Sequence, residues 1–211
     1  MRIVKYIFLL LLLAAIAVSV YIGTQSSDFD IQRSKVIAID QQALFNYVDE
    51  YKNWEDWGPW AEEDKSIQYT YSDKTKGVGA SYSWIGKDGN GKMNTVKTIQ
   101  NDSIFQKISF EDSDASDIIW GFQKVKGGTK VTWRMKGKMD FMMKAFAMFS
   151  GGVENMMAPM FEKGLDNIDN ILVQELKNYS VTVNGLVRKS GENYIKQSLT
   201  CKITSLTNNM G

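Results

Sequence analysis

The sequence predicts an α+β fold: a curved antiparallel sheet of about six strands wrapped around one long helix, preceded by a single apolar segment fit to cross a membrane. Three observations carry this. In the stretch 153–177, Met157, Phe161, Leu165, Ile168, Leu172 and Leu176 recur at three- and four-residue steps. Glu162, Lys163, Asp166, Asn167, Asp169, Asn170 and Gln174 take the other side. From Lys65 to Met135 the apolar period is two, broken by turn-forming glycines. Residues 6–22 carry no charge.

Taken in order, the chain opens with Arg2 and Lys5, then the uncharged run, which at roughly 17 residues reaches the lower end of a spanning helix. Residues 1–25 therefore form a signal anchor, or alternatively a cleaved signal, since Ala15-Ile16-Ala17 has the small-x-small form of a cleavage site. Basic residues ahead of the run place the domain on the outer side of a cell membrane, or free in that space after cleavage. A polar tether, 26–30, leads to a domain at 31–177.

Ile31 to Ile39 alternates as a strand, and Asp40 is placed to cap a short helix through Ala43, Leu44, Tyr47 and Val48. Tyr51, Trp54, Trp57, Pro59 and Trp60 follow, holding half of the six tryptophans. They read as a packed corner closing one end of the sheet, or as an aromatic wall at a cavity mouth. The acidic run Glu62, Glu63, Asp64 reads as a solvated loop. In the strands beyond, Ile67, Tyr69 and Tyr71 share a face and Tyr82 and Trp84 share another. Ile104, Ile108 and Phe110, then Ile118, Trp120 and Phe122, then Val131, Trp133 and Met135 continue the pattern. Lys76-Gly77, the 87–91 run and Gly127-Gly128 supply hairpin turns. Arg134 alternates with Trp133, so an inward Trp133 sends Arg134 to solvent.

Residues 138–152 are dense in large apolar side chains, with Met139, Phe141, Met142, Met143, Phe146, Met148 and Phe149. Methionine is flexible and fills irregular gaps, so this segment is either a lid with a Gly151-Gly152 hinge or the last part of the core. Gly164, in the middle of the long helix's stripe, costs about 1 kcal/mol relative to alanine. Something, a strand or a ligand, needs its room. Pro159 sits in the first turn or marks a kink.

The order of elements resembles the helix-grip fold of the START and Bet v 1-like superfamily. Residues 54–60, Asp64, Gly77-Val78-Gly79, Trp84, Gly91, the 128–133 run and Gly137 resemble its bacterial polyketide cyclase/dehydratase and lipid-transport type. That resemblance implies a cavity between sheet and helix for a hydrophobic small molecule or lipid. Tyr69, Tyr71, Tyr82, Trp84, Trp120, Trp133, Phe141, Phe161 and Gly164 are its candidate lining. The two-strand tail, 178–211, alternates in two short runs around Gly185 and Ser190-Gly191 and resembles the opening of a GyrI-like effector-binding domain, so it is either a truncated second domain of that type or a small hairpin appendage.

Composition narrows the chemistry. There is no histidine and one cysteine, Cys201, so imidazole-dependent triads and zinc sites of His and Cys cannot be assembled within one chain. No cofactor or metal is expected. A net charge of +1 gives no footprint for nucleic acid. Three functions stay open: an apolar binding protein, a cyclase-like enzyme using Tyr69 or Tyr82 with Arg134, and a membrane-tethered sensor or interaction module. The last requires a filled interior and an exposed apolar patch elsewhere.

Overall fold

The computed structural model describes residues 2–87, 89–111, 114–177, 181–189 and 192–199. The apolar leader forms α1 (Arg2–Thr24), of which the 22 residues Ile3–Thr24 are long and apolar enough to cross a membrane or to serve as a signal sequence. Strand β1 (Asp28–Ile37) begins three residues earlier than a tether running to residue 30 would allow, since only Gln25, Ser26 and Ser27 separate it from α1. Helix α2 (Gln41–Asp49) starts where the Asp40 carboxylate accepts from the Gln42 amide. A 3-10 turn (Tyr51–Asn53) and two short helices, α3 (Trp54–Trp57) and α4 (Pro59–Glu63), carry the tryptophans.

Six strands then run as a meander: β2 (Gln68–Tyr71), β3 (Ser81–Gly86), β4 (Gly89–Ile99), β5 (Ser103–Phe110), β6 (Ser116–Val125) and β7 (Gly128–Lys138). β1 returns to pair with β7 from Asp28 opposite Lys138 to Ile37 opposite Thr129, giving one antiparallel sheet in the order β1-β7-β6-β5-β4-β3-β2. That close return needs glycine at 128. Its φ is +147°, and a Cβ there would lie 2.0 Å from the Ile37 carbonyl oxygen.

Helices α5 (Phe141–Phe149) and α6 (Val153–Lys177) follow. Met157, Phe161, Leu165, Ile168 and Leu172 are buried along α6, as the periodicity requires, while the Leu176 side chain lies outside the described residues. α6 packs against β1, where Arg33 pairs with Glu154 and Glu162, and Lys35 with Asp166 and Asp169. Pro159 falls past the first turn, inside the helix. The architecture is the helix-grip α+β fold. Among the described residues, β8 (Val181–Lys189) and β9 (Glu192–Leu199) pair only with each other, with a register shift between Val183 and Leu186 that brackets Gly185. The remaining tail, on which a larger GyrI-like domain would depend, lies outside the described residues.

Candidate functional site

The concave face of the sheet is where the tryptophans converge. Trp120 and Trp133 stand directly opposite each other on β6 and β7, so both project to one face, and their rings stack at 4.7 Å. Phe161 descends from α6 and stacks on Trp133 at 4.5 Å, 6° from parallel. Trp57 meets Trp133 edge-on at 5.5 Å and Trp120 at 5.8 Å, and Trp54 meets Trp120 edge-on at 5.8 Å. All five rings are buried.

Gly164 opens onto this stack. A Cβ on it would lie 2.8 Å from Trp133 Cζ3, 3.4 Å from Trp57 Cζ3 and 3.5 Å from Pro59 Cδ. The room the sequence reserved at Gly164 is occupied by the protein's own indole rings. The tryptophan segment is held there by α6: Asn167 donates to the Trp57 carbonyl at 3.0 Å and to Glu62 at 2.8 Å, and Lys163 pairs with Glu62 at 2.8 Å. Part of the acidic run, expected as a solvated loop, is thus a clamp between α4 and α6. Asp64 is also engaged. Its carboxylate accepts from the Ser66 hydroxyl and amide and from the Lys87 amide, and these bonds, the hydroxyl first, hold its pKa down to about 2.

The tyrosines form the other half of the face. Tyr69 stands opposite Trp84 and Tyr71 opposite Tyr82, so the two pairs that sequence alternation assigned to separate faces share one. Tyr82 is buried under Tyr51, at 4.8 Å, and burial raises its pKa well above the usual phenol range. Tyr71 donates to Glu55, and burial, then that carboxylate, raises its pKa. Trp54 bridges the two halves, lying 6.2 Å from Tyr82 and sharing an edge with Trp120. Trp54 and Trp57 are the residues the candidate lining lacked, although the density of aromatics around them was visible in the sequence.

Polar groups inside are few. Tyr51 and Thr95 share a hydrogen bond at 2.8 Å, and Trp120 Nε1 donates to Gln106 Oε1 at 3.2 Å. Two donors in the stack, Trp57 Nε1 and Trp133 Nε1, have no acceptor among the described residues. Arg134 lies on the opposite face, paired with Asp30 of β1. Among the described residues, the buried carboxylates are Asp49 and Asp64, and no three His, Cys, Asp or Glu side chains group as a metal site would require. Two surface depressions lie at the ends of the β1/β7 pair. One of about 390 Å³ is lined by Ala38–Gln41, Lys124, Val125, Gly127 and Gly128, and one of about 340 Å³ by Asp28–Asp30, Lys136 and Gly137.

Phe141 stands apart from the other candidates. Helix α5 begins at Asp140, whose carboxylate accepts from the Met143 amide at 2.7 Å, and eight of its nine residues are apolar. Only Ala147 is buried; Met143 is half-buried against the core. Phe141, Met142, Phe146 and Phe149 face outward at 49%, 61%, 62% and 80% exposure, with Met160 of α6 exposed as well. An apolar helix covered on one side only leaves a continuous greasy surface.

No family model and no curated protein matches the sequence. Solved structures do match in fold. An uncharacterised protein of Rhizobium leguminosarum superposes with a TM-score of 0.53 at 15% identity, over 72% of this chain and 98% of its own. A protein of Mesorhizobium loti gives 0.51 at 14%, over 69% and 98%. A Staphylococcus aureus protein of unknown function gives 0.50 at 13%, over 71% and 99%. At these identities the likeness is one of fold, and it is compatible with a Bet v 1-like architecture.

Proposed function

We propose that this chain is a non-catalytic module of the START and Bet v 1-like type, tethered to a membrane by α1 with its domain on the outer side, and that it works through the outward apolar face of α5. The observation that carries this reading is the contrast between two surfaces. The face that a ligand-binding relative would keep open is packed by Trp54, Trp57, Trp120, Trp133 and Phe161. The outer face of α5, by contrast, exposes Phe141, Met142, Phe146 and Phe149. A cyclase-like reaction gains little support, since Arg134 lies on the far side of the sheet and burial keeps the Tyr82 hydroxyl protonated.

A second reading is favoured by one observation: the acceptorless Trp57 and Trp133 N–H groups. A hydrophobic small molecule or lipid bearing an oxygen would satisfy them, entering beneath α5 past Met139, Met143 and Met156. The two readings separate in one experiment, unfolding of the purified chain with a panel of fatty acids, sterols and polycyclic aromatics. A ligand held inside at 100 times its dissociation constant stabilises by about 2.7 kcal/mol. The interaction reading expects no compound to raise the transition saturably or to shift tryptophan emission; a saturable rise would replace it with the second reading.

A further inference from the structure

The outer face of α5 sits where α1 leaves its apolar environment. The 22 residues Ile3–Thr24 measure about 33 Å at roughly 1.5 Å per residue, close to the ~30 Å hydrocarbon core of a bilayer, so Thr24 lies at its boundary. Two hydrogen bonds of 2.7 Å then tie α5 and its lead-in to the short link that follows: Lys144 Nζ donates to the Gln25 carbonyl, and the Met139 amide donates to the Ser27 carbonyl. α1 packs against α5, and Ile22 is buried near its end while Ile3–Tyr21, Gly23 and Thr24 are exposed. With so short a link so tightly bonded, α5 is held beside the membrane boundary.

From this placement we infer that α5 lies in the interface of the same bilayer that α1 crosses. Phe146 and Phe149 enter the boundary between headgroups and acyl chains, with Phe141 and Met142 of the same helix exposed beside them. The occupant of the exposed face is the lipid surface. This inference rests on the reading of that face as the working surface, and names what it works on. Three features favour lipid over a protein partner or a second copy. The location is set by α1 alone; the side chains offer apolar area with no donor or acceptor to specify a partner; and the one cation of the helix, Lys144, points its ammonium at the link carbonyl beside the boundary. The flanking charges, Lys138 and Asp140, balance, so the attachment is apolar in origin and needs no anionic lipid. The domain is thereby held at a second point, with α6 and the sheet at a fixed tilt.

The test uses the full chain carrying Cys201→Ser, with Phe149→Cys or Met142→Cys bearing an environment-sensitive fluorophore, reconstituted into phosphatidylcholine nanodiscs. Val78→Cys, an exposed position on the loop between β2 and β3, is the control. Position 149 is expected to emit blue-shifted, to be quenched severalfold by a shallow nitroxide lipid and to resist aqueous iodide, with position 78 behaving oppositely. Concentration-dependent energy transfer at 149 without lipid quenching would assign the face to a second copy, overturning the lipid inference while leaving the interaction reading intact. Protection from iodide in native membranes but not in nanodiscs would assign it to a protein partner, with the same consequence. Iodide access in both preparations would overturn the inference and the reading beneath it together.

Discussion

Replacing Gly164 by alanine adds one methyl group at the most crowded point between α6 and the sheet, and the sign of its effect reports whether that space is filled. Helix propensity alone makes the substitution stabilising by about 1 kcal/mol. Against this, the new Cβ would lie 2.8 Å from Trp133 Cζ3, closer than carbon atoms tolerate, and within 3.5 Å of both Trp57 and Pro59. Trp133 has little freedom to retreat, being stacked on Trp120 and on Phe161 and met edge-on by Trp57. Overpacking a well-filled core costs about 1–3 kcal/mol, which leaves a net loss near 1 kcal/mol. For a chain of this size that lowers Tm by roughly 2–4 °C. The assay is thermal unfolding of the full chain in a non-ionic detergent, followed by near-ultraviolet circular dichroism, which reads the tryptophan environment. A rise in Tm would mean that the methyl group entered open space, and the packing argument would fail.

Further outcomes follow from the same interior. Phe161→Ala removes the ring stacked on Trp133 and is expected to cost about 3–5 kcal/mol by denaturant midpoint; a loss below about 1 kcal/mol would show a site able to collapse or already loose. Thr95→Val leaves the buried Tyr51 hydroxyl without its 2.8 Å partner and should cost about 1–3 kcal/mol, whereas Tyr51→Phe in the same background should recover most of it. Asp64 is more acidic folded than unfolded, so its contribution is complete above its ordinary pKa and is lost as pH falls from about 4 toward about 2. Asp64→Asn should therefore flatten the acid limb of a Tm-against-pH profile; an unchanged limb would remove Asp64 from the account.

What was legible in the sequence was local. The 3.6-residue period of α6 gave both of its ends, and Asp40 marked the start of α2, because each depends on neighbours a few positions away. The period of two found the meander, but strand pairing is non-local. Hence β1 joining β7 was not visible, and Tyr69 and Tyr71 were separated from Tyr82 and Trp84 although register puts them on one face. Gly164 announced that something needed its room, while the identity of that neighbour, Trp133 on a distant strand, came only from the crossing of α6 over the sheet. α5 defeated periodicity for a different reason. Apolar on nearly every position, it has no polar side from which to read its orientation, so Phe141 was grouped with the interior when the structure turns it outward.

The central claim, that the protein's own rings fill the space beneath α6, is tested most directly with xenon, which enters dry apolar cavities of about 150 Å³. Methyl resonances of Ile104, Ile118, Leu165 and Ile168 would be followed under increasing xenon pressure, these residues being fully or almost fully buried in the core that α6 and the sheet enclose. The account expects only small shifts, linear in pressure. Saturable shifts centred on Leu165 and Ile168 would reveal an internal binding space and contradict it.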